Sequence, residues 1–202
     1  MSSIRLIRNK TKCLPWKILS KFGLYKGNNI PIKFIVENAD WAIKFVGQNI
    51  KKEIDIIAPG TIEVTNKPYK FVKNIVHFGS QYMWLNWGEH MSKDNYYITS
   101  FFHGKPEDGD EVKNHIDLFL KSLERLDTVV TASSLIEERL LEWGIPSNKL
   151  VKIPLGVNTN LFNLPKKNKK ESIRKFLGIP KNAIVIGSFQ KDGSGWKDGL
   201  VP

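Results

Sequence analysis

From residue 31 onward, short apolar runs alternate with stretches of helical periodicity. Residues 32–36 form a β-branched apolar run. The polar loop Glu37-Asn38-Ala39-Asp40 follows, and Trp41, Ala42, Phe45 and Val46 then recur at helical spacing. Residues 54–57, closed by Pro59-Gly60, predict a second strand. Residues 75–78 predict a third, followed by Gly79-Ser80 and an aromatic stretch to Trp87. A fourth spans 96–102 and ends in His103-Gly104. Asp108 and Asp110 open a helix whose Val112, Ile116, Phe119, Leu120, Leu123 and Leu126 share one face. Residues 128–131 predict a strand. Ser134 and Glu137 have capping-box spacing ahead of Leu140 and Leu141, and Gly144 with Pro146 stops that helix. Residues 150–154 predict the next strand.

This rhythm predicts an α/β protein, a Rossmann-like parallel sheet flanked by helices. No internal repeat is visible. After residue 158 the chain becomes charged and polar, with Pro165-Lys166-Lys167-Asn168-Lys169-Lys170 at its centre. A short helix is predicted over 171–177, stopped by Gly178 and Pro180, then a strand over 183–186 and a glycine-rich loop over 187–199. The expected organisation is a basic leader (1–30), a sheet domain (31–162), a linker (163–180) and the truncated start of a second domain (181–202).

Charge sharpens the picture at the N-terminus. The chain carries +11, yet residues 1–36 hold eight basic residues and no acid, the first being Glu37. Leu6, Ile7, Leu14, Trp16, Ile18, Leu19, Phe22, Leu24 and Tyr25 interleave with those cations. The mixture suits an anionic membrane surface or a nucleic-acid patch, or a solvated leader whose apolar residues pack on the domain edge. Pro15 is expected to limit any long helix there. The single cysteine, Cys13, excludes an internal disulfide framework and a multi-cysteine metal site, and fits a reducing cytoplasm. No run approaches the roughly 20 apolar residues that span a bilayer, and the N-terminus lacks a signal-peptide core. The expected location is cytoplasmic, peripheral at the inner membrane face if the leader engages lipid.

Several catalytic signatures fail. There is no Walker-type phosphate loop, no His-Glu-x-x-His and no Gly-x-Ser-x-Gly elbow. The first strand–helix junction has no glycine, and Gly193-x-Gly195 is followed by Asp198 at the third position, so neither is a dinucleotide fingerprint. What remains are polar groups at the C-terminal ends of predicted strands, the edge where parallel sheets bind ligands. They are Glu37, Asn38 and Asp40 after the first strand, His77 and Ser80 after the third, and His103-Gly104 after the fourth. A lone histidine is more often structural than catalytic. His103 stands out because the adjacent glycine lets a ligand approach the backbone. His115 lies in a helix among apolar neighbours and reads as structural. Asp108-Gly109-Asp110 has the spacing of a metal-binding Asp-x-Asp, but just ahead of a helix it is more simply an N-cap.

The run from Leu150 through Lys152-Ile153-Pro154-Leu155-Gly156-Val157-Asn158 to Phe162 resembles the segment that closes the N-terminal domain of retaining family-4 glycosyltransferases of the GT-B type. Ile173-Arg174-Lys175-Phe176-Leu177-Gly178-Ile179-Pro180 is similar to that family's linker helix. Ala183-Ile184-Val185-Ile186-Gly187 is similar to the first strand of its C-terminal domain. Val129 to Trp143 resembles its strand, Ser-containing turn and amphipathic helix, and Phe101-Phe102-His103-Gly104 the strand end that bears its active-site histidine. The match covers about residues 95–190, and the first 95 only in general layout.

The resemblance implies an N-terminal acceptor domain facing a C-terminal donor domain, with no metal and no other cofactor. The enzyme would transfer a hexose from a nucleotide diphosphate sugar to a saccharide or lipid-linked acceptor, in polysaccharide or lipopolysaccharide assembly. On that basis His103 is the catalytic candidate, contacting the donor sugar. Glu37, Asn38, Asp40, Trp41, His77, Ser80 and Gly104 are acceptor candidates. Cations are needed where diphosphate charge develops. The family's usual Gly-Arg is absent after residue 187, which leaves Lys191 and Lys197 for that role. The family's Glu-(seven residues)-Glu motif is also absent from the 202 residues, so this chain by itself is expected to bind donor poorly and turn over negligibly. The alternatives are a non-catalytic basic module for membrane or nucleic acid, nucleic acid being the less favoured, and another GT-B enzyme such as a sugar-nucleotide epimerase.

Overall fold

The structure is a computed structural model that describes residues 3–27, 29–39, 42–164 and 167–187. The chain divides into two compact units, Met1–Pro154 and Leu155–Pro202. The first is α/β. Its strands are β1 (Ile32–Ile35), β2 (Ile62–Thr65), β3 (Ile75–Phe78), β4 (Tyr96–Ser100), β5 (Thr128–Thr131) and β6 (Leu150–Lys152). Its helices are α1 (Ser3–Lys21), α2 (Ala42–Ile57), α3 (Gln81–Trp87), α4 (Asp110–Lys121) and α5 (Ser134–Glu142). All six strands are parallel, in the order β2-β1-β3-β4-β5-β6, which is a Rossmann-like sheet.

The order fixes where the helices go. The chain steps from β1 to β2 in one direction and from β2 through β6 in the other. Because parallel crossovers are right-handed, the reversal puts α2 on one face and the later helices on the opposite one. Two apolar clusters record this. Phe34, Val36 and Ile62 pack with Ile43, Val46 and Ile54 of α2. Ile35, Val76, Phe78 and Val129 pack with Trp84 of α3, Ile116 and Phe119 of α4, and Ile136 and Leu140 of α5.

The β2–β3 link contains only a 3-10 turn, Pro68–Lys70, so no crossover helix covers the sheet there. Helix α1 fills that place. Its Cys13 belongs to the larger cluster, and its fully buried Asn9 donates to Asn86 O at 2.9 Å, beyond the middle of α3. This anchorage carries the helix through Pro15, against the expectation that the proline would cut it short. A mid-helix proline removes one backbone bond, and the burial of Asn9 and Cys13 just before it offsets that loss. On the same face Lys33 is fully buried, beside its register partner Glu63 at 2.9 Å and 5.0 Å from the Phe71 ring centre.

Three other expectations are corrected. Residues 54–57 are the last turn of α2, not a strand; Ile54 packs inward, and Lys51 meets Asp55 one turn later at 2.6 Å. The edge strand is instead β2, too short and too polar for a strong apolar signal. The cap of α5 is Ser133, whose hydroxyl accepts from Ile136 N, rather than Ser134. Asp108 caps the 3-10 turn Pro106–Asp108 by accepting from Lys105 N, while Gly109 precedes α4.

In the second unit, Asn158 Oδ1 accepts from the backbone N–H groups of Asn160 and Leu161. Helix α6 (Lys167–Phe176) starts earlier than its sequence pattern predicts and is followed by a turn at Gly178, φ +67°. The Arg174 guanidinium donates to the carbonyls of Pro180, Lys181 and Ala183. Residues 183–187 belong to no helix or strand, contrary to the strand expected there. No partner strand pairs with them among the described residues.

Candidate functional site

The C-terminal ends of β1, β3 and β4 lie side by side on one edge, and the direction of winding reverses between β1 and β3. Ligands of open α/β sheets bind in the crevice at such a reversal. The ladder continues one residue past the strands, with Val36 N bonded to Thr65 O, Gly79 N to Ile35 O and Phe101 N to Val130 O. The loops therefore leave the sheet at a defined height.

Gly79 is where β3 turns out of the sheet against the first turn of α2. A Cβ there would lie 2.5 Å from Ile43 Cγ2 and 3.1 Å from Ile35 O, so only glycine fits. Ser80 follows, buried, its hydroxyl accepting from Met83 N as the cap of α3. At the β1 end Glu37 is half-buried and Asn38 exposed; the Asn38 side-chain carbonyl accepts from the Asn66 amide. Asp40 and Trp41 lie outside the described residues, as do Lys191 and Lys197.

At the β4 end the loop holding His103 and Gly104 is tied to α3. Gln81 Nε2 donates to His103 O at 3.2 Å, and Gly104 adopts φ +107°, a conformation that disfavours a side chain. A Cβ at Gly104 would also meet Val112 Cγ1 at 3.4 Å, close under the start of α4. The Tyr82 ring lies 6.1 Å from His103 and stacks on His115 at 3.8 Å. Ser80, Gln81, Tyr82, His103, Gly104 and His115 thus form one group joining the β3 end, the β4 end and α4.

The electrostatics separate the histidines. Burial first, and the charge of His103 second, push His115 down to about 4, and its Nε2 is buried without a hydrogen-bond partner. His115 is neutral at pH 7, an uncharged ring supporting Tyr82. Burial, then the carboxylate of Asp108, raises the Tyr82 hydroxyl above its usual range, so it stays a neutral donor. His77 lies elsewhere. It sits inside β3 rather than at its end, on the α2 side, 4.7 Å from the Phe34 ring and with Nε2 2.9 Å from Ser100 Oγ. Burial pushes it down to about 4.

The sequence reading thus reaches Ser80, His103 and Gly104 of this group but misses Gln81, Tyr82 and His115. Tyr82 was legible only as part of an aromatic stretch. His115 reads as structural in sequence, and it is the ring beneath Tyr82. Ser80, Gln81 and His115 of this group are buried, so the side chains it presents at the surface are Tyr82 and His103. Among the described residues no three His, Cys, Asp or Glu side chains converge as a metal site, and no helix is long and apolar enough to cross a membrane. No family model matches the chain, and neither does any curated protein or any solved structure.

Proposed function

We propose that Met1–Pro154 is the acceptor-side domain of a glycosyltransferase of the GT-B type, one that moves a hexose from a nucleotide diphosphate sugar to a saccharide or lipid-linked acceptor. The observation that carries this reading is His103-Gly104 at the C-terminal end of β4, next to the winding reversal, with the backbone opened by φ +107° and held by Gln81. In it, His103 meets the sugar being transferred. Tyr82 supplies a flat face for a sugar ring and a hydroxyl for its oxygens, and Glu37 and Asn38 border the acceptor from the β1 side. The donor diphosphate falls to residues of the second unit, with Lys191 and Lys197 as the cations the sequence provides.

The test is chemical-shift mapping of the 202-residue chain with a panel of oligosaccharides and, separately, nucleotide diphosphates. The expected result is saccharide binding that perturbs the amides of Gln81, Tyr82 and His103 and weakens at least tenfold in His103→Ala, with little response to nucleotide. Saccharide binding that maps away from this edge, or none at millimolar concentration, overturns the reading.

A further inference from the structure

Helix α1 has two apolar faces, and the fold uses one of them. Asn9 and Cys13 are fully buried, and Leu6, Trp16 and Leu19 half-buried, on the side that meets the Pro68–Lys70 turn and α3. On the other side Ile7, Leu14 and Ile18 recur at i, i+7 and i+11, which at about 100° per residue keeps them within about 40° of arc. Phe22, one turn on, and Leu24 continue the stripe past the helix end, where Gly23 turns the chain at φ +73°. These five side chains are 47–76% exposed. Lys10, Lys17 and Lys21 flank the stripe on one side and Arg8 on the other, all exposed. Lys12 is directed elsewhere, 5.8 Å from the Tyr69 ring centre. Because the buried face is locked by Asn9 and Cys13, the outer face cannot roll inward to hide its apolar groups.

Charge decides what could cover such a stripe. A second copy of α1 would bring lysines against lysines, with no acid within residues 1–36 to pair them. A nucleic acid would satisfy the cations but set its phosphates against isoleucine, leucine and phenylalanine. A bilayer containing acidic lipid satisfies both, giving phosphates to the flanks and the acyl boundary to the stripe.

We propose that α1 seats this domain on an anionic bilayer surface. Ile7, Leu14, Ile18, Phe22 and Leu24 lie at the headgroup–acyl boundary, and Arg8, Lys10, Lys17 and Lys21 among the lipid phosphates. The inference stands on α1 alone and does not rest on the transferase reading.

The test is co-sedimentation of the 202-residue chain with vesicles of phosphatidylcholine alone and of phosphatidylcholine mixed with phosphatidylglycerol, which carry no sugar acceptor. Binding is expected to the mixed vesicles and to weaken as salt is raised. Each surface cation contributes about fivefold near an anionic membrane, so Lys10→Gln/Lys17→Gln/Lys21→Gln should bind about a hundredfold more weakly at low salt. Ile7→Ser/Leu14→Ser/Ile18→Ser should lose at least tenfold with its lysines intact. Both variants alter exposed side chains, and unchanged circular dichroism would show that the fold is kept. Should the serine variant misfold, slower amide exchange of wild-type α1 on mixed vesicles provides the independent reading. Equal binding to neutral vesicles, no binding to either, unchanged binding in both variants, or tighter capture by a DNA duplex than by mixed vesicles would each overturn the proposal.

Discussion

His77 makes the folded protein acid-labile over a window that the structure defines. The imidazole is packed against Phe34 and joined to Ser100, and burial pushes it down to about 4. In the unfolded chain it titrates near 6.5. Between those values the unfolded chain takes up a proton that the folded one refuses. Stability is therefore fully present above about pH 6.5 and lost as pH falls toward 4. At about 1.4 kcal/mol per pH unit, the whole window is worth roughly 3 kcal/mol at most, a sizeable share of a domain's ~5–15 kcal/mol. Part of the residue still meets solvent, so at pH 5 the expected loss is about 1–2 kcal/mol. Because His115 and His90 are shifted the same way, the assay needs a control specific to His77. His77→Gln can keep a polar partner for Ser100 and does not titrate. Urea unfolding of both proteins at pH 7 and pH 5 should show wild type losing about 1–2 kcal/mol more than the variant on acidification. Equal losses would mean that His77 protonates as freely when folded as when unfolded, and the burial argument would fail.

Gly79→Ala forces a methyl to within 2.5 Å of Ile43 Cγ2 and should cost about 1–3 kcal/mol in thermal melts; a smaller penalty in the Ile43→Ala background would trace it to that contact. Cys13 is fully buried, with its thiol pushed up to about 11 by burial against an opposing effect of Lys17, so it should resist a disulfide reagent at pH 8 until the protein unfolds. Fast labelling of the folded chain would contradict the docking of α1. Replacing His103 with Gln removes the smaller of the two causes depressing His115, so its imidazole should titrate above about 4 but still below 6.5 by NMR. A jump to the free value would leave burial no part in the shift. Asn9→Ala leaves Asn86 O without its partner and should cost about 1–3 kcal/mol, with exchange protection lost first in α1; uniform loss across the domain would refute a local anchor.

The strands β3 and β5 were legible because their apolar runs are flanked by turn residues and buried in the middle of the sheet. The edge strand β2 was not. Ile62 is its one buried residue, and so small a burial leaves little pattern to read. Residues 54–57 misled for the opposite reason: Ile54 is an inward position of α2, whereas Ile56 and Ile57 are exposed at its last turn, so the run imitates a strand. At the site, His103 and Gly104 were visible because a strand end is a local feature. The neighbours of His103 come from α3 and α4, and no spacing in the sequence announces that Tyr82 lies over His115, 33 positions away. His77 shows the limit of reading by position alone, since one step along a strand decides whether a side chain enters the loops or the sheet face.

Helix α1 was the hardest element to read, because two opposed apolar faces cancel in any measure of amphipathicity. The inward face is centred on Asn9 and Cys13, with Leu6, Trp16 and Leu19 half-buried beside them, while Ile7, Leu14 and Ile18 point outward. The same arrangement links the leader to the candidate site through α3. At one end of that helix Asn86 O holds Asn9; at the other lie Ser80, Gln81 and Tyr82. With about 1.5 Å of rise per residue, the distance between the two ends is about 10 Å, bridged by a helix whose Met83 and Trp84 are buried in the core. A surface that fixes α1 would therefore also fix the orientation of the edge bearing His103. If both proposals hold, the leader would present the site to acceptors at a constant height above the membrane, a geometry suited to a lipid-linked acceptor.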